Sequence, residues 1–145
     1  MKTAYFLLPL IDFALLILAW LVQLIIYPSF QEVEEKKFHT WHIRYKKLIG
    51  VFVIPLMLSQ LSLSIFLSVI SIQSLYILHS VFILLVWLST FFQAVPIHNA
   101  LEKNAYDKTK VRSLVKANLP RTILWTICFI ISLLQFYKNI QMNLA

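Results

Sequence analysis

Glycine and cysteine occur once each among these 145 residues, acidic residues number six, and 13% of positions are charged. Each scarcity excludes something. The lone Cys128 rules out an intrachain disulfide and a thiolate metal centre. A soluble domain carries about twice this charge, so a chain that is 60% hydrophobic falls in the membrane class. No second domain, low-complexity tract or convincing internal repeat is evident. The first apolar stretch is twice as long as a signal-peptide core, contains Asp12 and is followed by no small-x-small cleavage pattern, so it reads as a retained helix.

What is present is four long apolar stretches, Tyr5–Tyr27, Leu48–Ile70, Leu75–Ile97 and Leu119–Tyr137. Each suits a helix crossing roughly 30 Å of hydrocarbon. The expected fold is therefore all-α, a bundle of four transmembrane helices in a single domain over residues 1–145. Eleven of the thirteen Lys and Arg residues lie in two polar segments, Pro28–Lys47 and His98–Arg121. Basic loops stay on the cytoplasmic side, so segments 28–47 and 98–121 are expected in the cytoplasm and both termini, with Lys2 and Lys138, outside. The expected location is the cell's inner (plasma) membrane. The net charge of +7 is concentrated near the span ends, where lipid headgroups attract it at about 1 kcal/mol per residue. Membrane lipid is thus an expected partner and nucleic acid is not.

Between the first two spans, Phe30, Val33, Phe38, Trp41 and Tyr45 recur at spacings of three to five among charged residues. That pattern predicts an amphipathic helix lying along the headgroups or capping the bundle mouth. The second polar segment predicts a loop and a short helix, with Pro120 in the first turn of the fourth span.

Polar side chains in a bilayer turn toward other helices or a wet cavity. Asp12, Ala19, Gln23 and Tyr27 share one face of the first span, and Gln60, Ser64, Ser68 and Ser71 one face of the second. His79, Thr90 and Gln93 line the third; Arg121, Trp125, Cys128, Ser132 and Gln135 run down the fourth. Depth arithmetic at 1.5 Å per residue sets Asp12 and His79 within a few Å of one level. A buried ionisable pair between them is expected, either fixing helix register or serving a proton or ligand.

At the other end, Glu35, His39 and His42 are spaced i, i+4, i+7, and His98 with Glu102 gives a second i, i+4 pair. These five are weak candidates for a divalent metal; no metal and no cofactor is expected. A metal-free reading has the positive ends of the second and fourth helices converging beside Arg44 and Arg121, with His42 and His98 nearby, which favours an anion.

The run Val95-Pro96-Ile97-His98-Asn99-Ala100-Leu101 and the run Asn118-Leu119-Pro120-Arg121-Thr122 resemble the V-P-x-N-x-x-L and N-x-x-R-[T/S] signatures of the anthrone-oxygenase-like family of small four-helix membrane proteins. His98 stands where that signature has Asn, and the likeness covers about the last third of the chain. The resemblance implies that an electron-rich polycyclic enol loses a proton and its carbanion reacts with oxygen, without metal or flavin. His98 or His42 would be the base, with Arg121, Asn118 and Asn99 as oxyanion partners. Trp125 would stack on a flat ring, and Gln93 and Arg44 complete the ligand-facing set.

The reading is a multi-pass membrane protein whose cytoplasmic-end pocket binds, and by the resemblance oxidises, a hydrophobic, ring-bearing, weakly acidic compound. The competing reading is a non-enzymatic small permease or assembly subunit whose polar stripes are structural. Ser62 and Ser89, off the main stripes, mark a second contact face suited to a homodimer. The assigned sidedness predicts that a periplasm-dependent reporter fused after Ala145 is active; activity only of a cytoplasm-dependent reporter there reverses the topology.

Overall fold

The computed structural model describes residues 2–71, 73–103 and 106–144. The first span is helix α1 (Lys2–Leu21), a π-helical turn (Val22–Ile26), the short α2 (Tyr27–Ser29) and a 3-10 turn (Phe30–Glu32). The second is a single helix, α3 (Glu35–Ser71). The third joins α4 (Ser74–Ser89) through a π turn (Thr90–Ala94) to α5 (Val95–Lys103), and the fourth is α6 (Lys108–Leu144). All four are long and apolar enough to cross a membrane. The first and third spans each pack against both α3 and α6, which leaves α3 and α6 facing each other across the bundle diagonal. We call the end carrying Phe30–Glu32 and Asp107 the loop end, and the opposite one the terminal end.

The helices overrun the apolar stretches. α3 begins at Glu35 rather than near Leu48, so the amphipathic residues 35–47 continue the second span as one rod and do not lie along the headgroups. Nothing between Lys47 and Leu48 breaks a helix. α6 likewise begins at Lys108, which places Pro120 inside the helix, not in its first turn. Asp107 starts α6: its Oδ1 accepts the backbone N–H of Thr109 at 2.8 Å and of Lys110 at 3.3 Å, the N-cap arrangement. Those donors, Lys110 foremost, hold its carboxyl below the usual range.

Both π turns have the same local cause. Each closes on the residue before a proline, with the N–H of Tyr27 reaching the carbonyl of Val22 and that of Val95 reaching Thr90. Pro28 and Pro96 come next; each lacks an N–H, and each ring would clash with the carbonyl four residues back. A turn widened by one residue relieves that clash. It also rotates the rest of the span relative to a regular helix, and Gln23 and Tyr27 are both buried.

The loop end is closed by rings. Phe30 is 0% exposed, with Trp41, Tyr45 and Tyr27 at 4.9, 5.0 and 5.3 Å between centroids, edge-on geometries that aromatic pairs prefer. Val22, Phe38, Leu101, Val111 and Leu114 are the other buried members of this cluster. Phe30→Ala should therefore cost about 3–5 kcal/mol, read as a lowered unfolding midpoint in detergent. A midpoint equal to the parent's would show that the cluster does not hold the loop end together.

Candidate ligand-binding site

Two polar networks lie inside the bundle, one at each end. In the terminal half, His79 Nε2 meets Asp12 Oδ2 at 2.9 Å, Gln60 Nε2 donates to Asp12 Oδ1 at 2.7 Å, and Ser64 Oγ meets His79 Nδ1 at 2.9 Å. Ser80 Oγ continues the chain to Ser64 and Ser68 at 2.8 and 2.9 Å. Asp12, Gln60, Ser64 and His79 are all 0% exposed. The depth arithmetic on Asp12 and His79 thus corresponds to a direct contact. The order Ser64, His79, Asp12 is one that acyl transfer uses, but Ser64 is sealed and its hydroxyl is shared with Ser80. This network ties the first three spans together.

The loop-end network starts from His42, also fully buried. His42 Nε2 lies 2.9 Å from His98 Nδ1, and His98 Nε2 lies 2.9 Å from Tyr27 Oη. Arg121 Nη2 donates to Tyr27 Oη at 3.5 Å and to Asn118 Oδ1, while Nη1 donates to Thr90 Oγ1 at 3.5 Å. Asn118 Nδ2 donates to Gln23 Oε1 at 2.8 Å. Arg121 Cζ sits 5.5 Å from the Trp125 ring centroid, within cation–π range. Both ring nitrogens of His98 are engaged, so its imidazole is held between His42 and Tyr27.

This network forms one end of a cavity of about 190 Å³ reached by all four spans. Its walls are largely apolar: Leu15, Val22, Val53 and Met57 among others, with Gly50 and Ile54 on α3. Its polar groups are Tyr27, Tyr45, Lys46, Thr90, His98, Asn118, Arg121 and Trp125. Two are cations and none is a carboxylate. Arg121 and Trp125 are 8% and 4% exposed, and Arg121 Nε and Trp125 Nε1 have no hydrogen-bond partner among the described residues. Buried donors are nearly always bonded; besides these two, His42 Nδ1, Gln60 Oε1, Trp87 Nε1 and both amide atoms of Gln135 lack a partner among the described residues.

The expected site residues divide. His42, His98, Arg121, Asn118 and Trp125 come together, and His98, Asn118, Arg121 and Trp125 line the cavity. Gln93 does not: it is exposed and accepts from Ser89 Oγ at 3.0 Å, because the π turn brings Ala94 inward instead. Arg44 is exposed on the face of α3 opposite His42 and Lys46, midway between two residues one turn apart. Asn99 is also exposed, and its Oδ1 accepts from Lys46 Nζ at 3.3 Å. Nor do the helix dipoles converge as expected, since α6 starts more than three turns before Arg121. Among the described residues no group of three or more His, Cys, Asp or Glu gathers as a metal site. Glu35 and His39 are exposed, and Glu102 pairs with Lys46 at 2.6 Å. Ser62 is exposed on α3. Tyr27 and Gln23 belong to the inward stripe of the first span, yet spacing alone gives neither a place in the site, and it does not single out Gly50.

In comparisons with family models, curated proteins and solved structures, none matched this chain.

A double-mutant cycle over Asp12→Ala and His79→Ala should give a coupling above about 1.7 kcal/mol, the upper end for interhelical hydrogen bonds in membrane proteins. A coupling near the average of about 0.6 kcal/mol would reduce the pair to ordinary interhelical bonding.

Proposed function

We infer that this is a membrane protein that binds a hydrophobic, ring-bearing, weakly acidic compound in the loop-end cavity, its oxygen set against Arg121 and Trp125. The observation that carries this reading is a largely apolar cavity lined by the buried Arg121 and by Trp125, with no carboxylate among its lining residues and the charge of its second cation, Lys46, answered by Glu102. A permanently charged guanidinium favours the anionic form of an acidic ligand, and the aromatic walls of Tyr27, Tyr45 and Trp125 suit a flat ring.

The oxidation implied by the sequence resemblance would use the same pose. The acidic proton would pass to Tyr27 Oη as Tyr27 passes its own to His98, leaving the conjugate base against Arg121. Placement in the plasma membrane, with the loop end in the cytoplasm, belongs to this proposal and rests on the distribution of Lys and Arg. The reading as a permease or assembly subunit accounts for Asp12, His79, Gln60 and Ser64, which bond one another, but gives no role to a cavity lined by Arg121 and Trp125.

Binding of 1-naphthol by the purified protein in nanodiscs tests the reading. Wild type should bind above the background of empty discs, and Arg121→Gln and Trp125→Phe should each lose affinity about tenfold or more, a hydrogen bond to a charged group being worth about 1.5–3 kcal/mol. Trp125→Phe removes the donor while keeping an aromatic side chain in place, and an unfolding midpoint close to the parent's separates lost recognition from lost fold. Equal binding by all three proteins would overturn the assignment.

A further inference from the structure

The cavity is too small for its proposed occupant to be a large ring system. An enclosed space of about 150 Å³ takes benzene, and drug-sized sites run from about 300 Å³ upward. At about 190 Å³ the cavity encloses one ring or two fused rings. A compound hydrophobic enough to reach it through lipid must carry the rest of its apolar bulk elsewhere.

The walls show where. Ile54 and Val95 line the cavity yet are 58% and 38% exposed, so the cavity reaches the outer surface of the bundle where α3 meets α5. Lys46, on the same face of α3, bonds Glu102 of α5 and closes this seam on the loop side. Ser64 and Ser68, bonded to Ser80 of α4, close it on the terminal side. Between them stands Gly50, one turn from Ile54, and the single glycine of the chain. A Cβ there would meet only Ile54 Cδ1 at 3.5 Å, an ordinary contact. Helix packing therefore does not require the glycine, and its absent side chain leaves the seam open at lipid depth.

Resting on the binding reading above, we propose that the ligand is a single-tailed amphiphile: a one- or two-ring phenolic head with its oxygen at Arg121 and Trp125, and an alkyl tail leaving between Gly50, Ile54 and Val95 into the bilayer. Tail and oxygen must then lie at opposite ends of the ring, as in a para-alkyl phenol. Gly50 is the specificity-determining position, admitting the tail where a bulky side chain would block it.

The test uses two probes on the full chain in nanodiscs: 1-naphthol, and 4-decyl-1-naphthol carrying a photoreactive diazirine on the third carbon of its chain. On irradiation the tailed probe should label Gly50, Ile54 or Val95, mapped by peptide mass spectrometry. Excess 1-naphthol should suppress that labelling. Gly50→Leu, which fills the seam, should reduce it at least tenfold; Gly50→Ala should keep most of it. Labelling spread over lipid-facing residues such as Val69 and Phe92, insensitive to 1-naphthol, would overturn the tail-out pose even if 1-naphthol binds. Failure of 1-naphthol itself to bind would remove the head site, and this proposal with it. Because the wild-type labelling map needs no variant, misfolding of Gly50→Leu would not shield the proposal. Competition by palmitate as strong as by 1-naphthol would overturn the ring head in favour of a plain fatty acid.

Discussion

A guanidinium cannot shed its proton inside a protein, so burying Arg121 obliges the surrounding helices to answer its donors. Asn118 on α6, Tyr27 on the first span and Thr90 on the third supply acceptors, and Trp125 supplies a ring face. The bonds from Arg121 thus involve three of the four spans. α3 contributes none among the described residues. α3 packs against the first and third spans and lies across the diagonal from α6, and the cavity lies between it and Arg121.

What keeps α3 in the bundle lies above and below that gap. At the loop end His42 and Lys46 bond to α5; in the terminal half Gln60 and Ser64 bond to Asp12 and His79. The interval between these ties presents Ile49, Gly50, Val53, Ile54 and Met57 to the cavity, with no side-chain hydrogen bond to a neighbouring helix among the described residues. Apolar side chains gain little from meeting one another when lipid is the alternative. The unbonded interval is therefore where the bundle parts most readily, and a binding space there disturbs no polar contact.

The sequence carried the lipid-facing stretches and the depth of Asp12 and His79 because both depend on local spacing. It did not carry the helix ends. Hydropathy marks where a helix meets lipid, not where its backbone bonds stop, and residues 35–47 and 108–118 continue the helices in polar dress. Gln93 is misplaced by assuming one residue period through Thr90–Ala94, where a proline two residues beyond Ala94 widens the turn. His98, Arg121 and Asn118 were legible as a group because two short runs bring them to one level, and Trp125 because it follows Arg121 by one turn. Gly50 was not, since the meaning of a missing side chain depends on what stands across the gap.

A rod fastened at two points yields by bowing, and Pro55 decides where. It lies in α3 between the two sets of ties and lacks the N–H that would bond the carbonyl of Val51, so the axial ladder is notched one turn from Gly50. Breathing of the bundle should then be confined to a few residues at mid-height, while the aromatic crown and the Asp12 level stay rigid. Traffic through the side of the molecule would depend on the stiffness of that one notch, not on any rearrangement of whole helices.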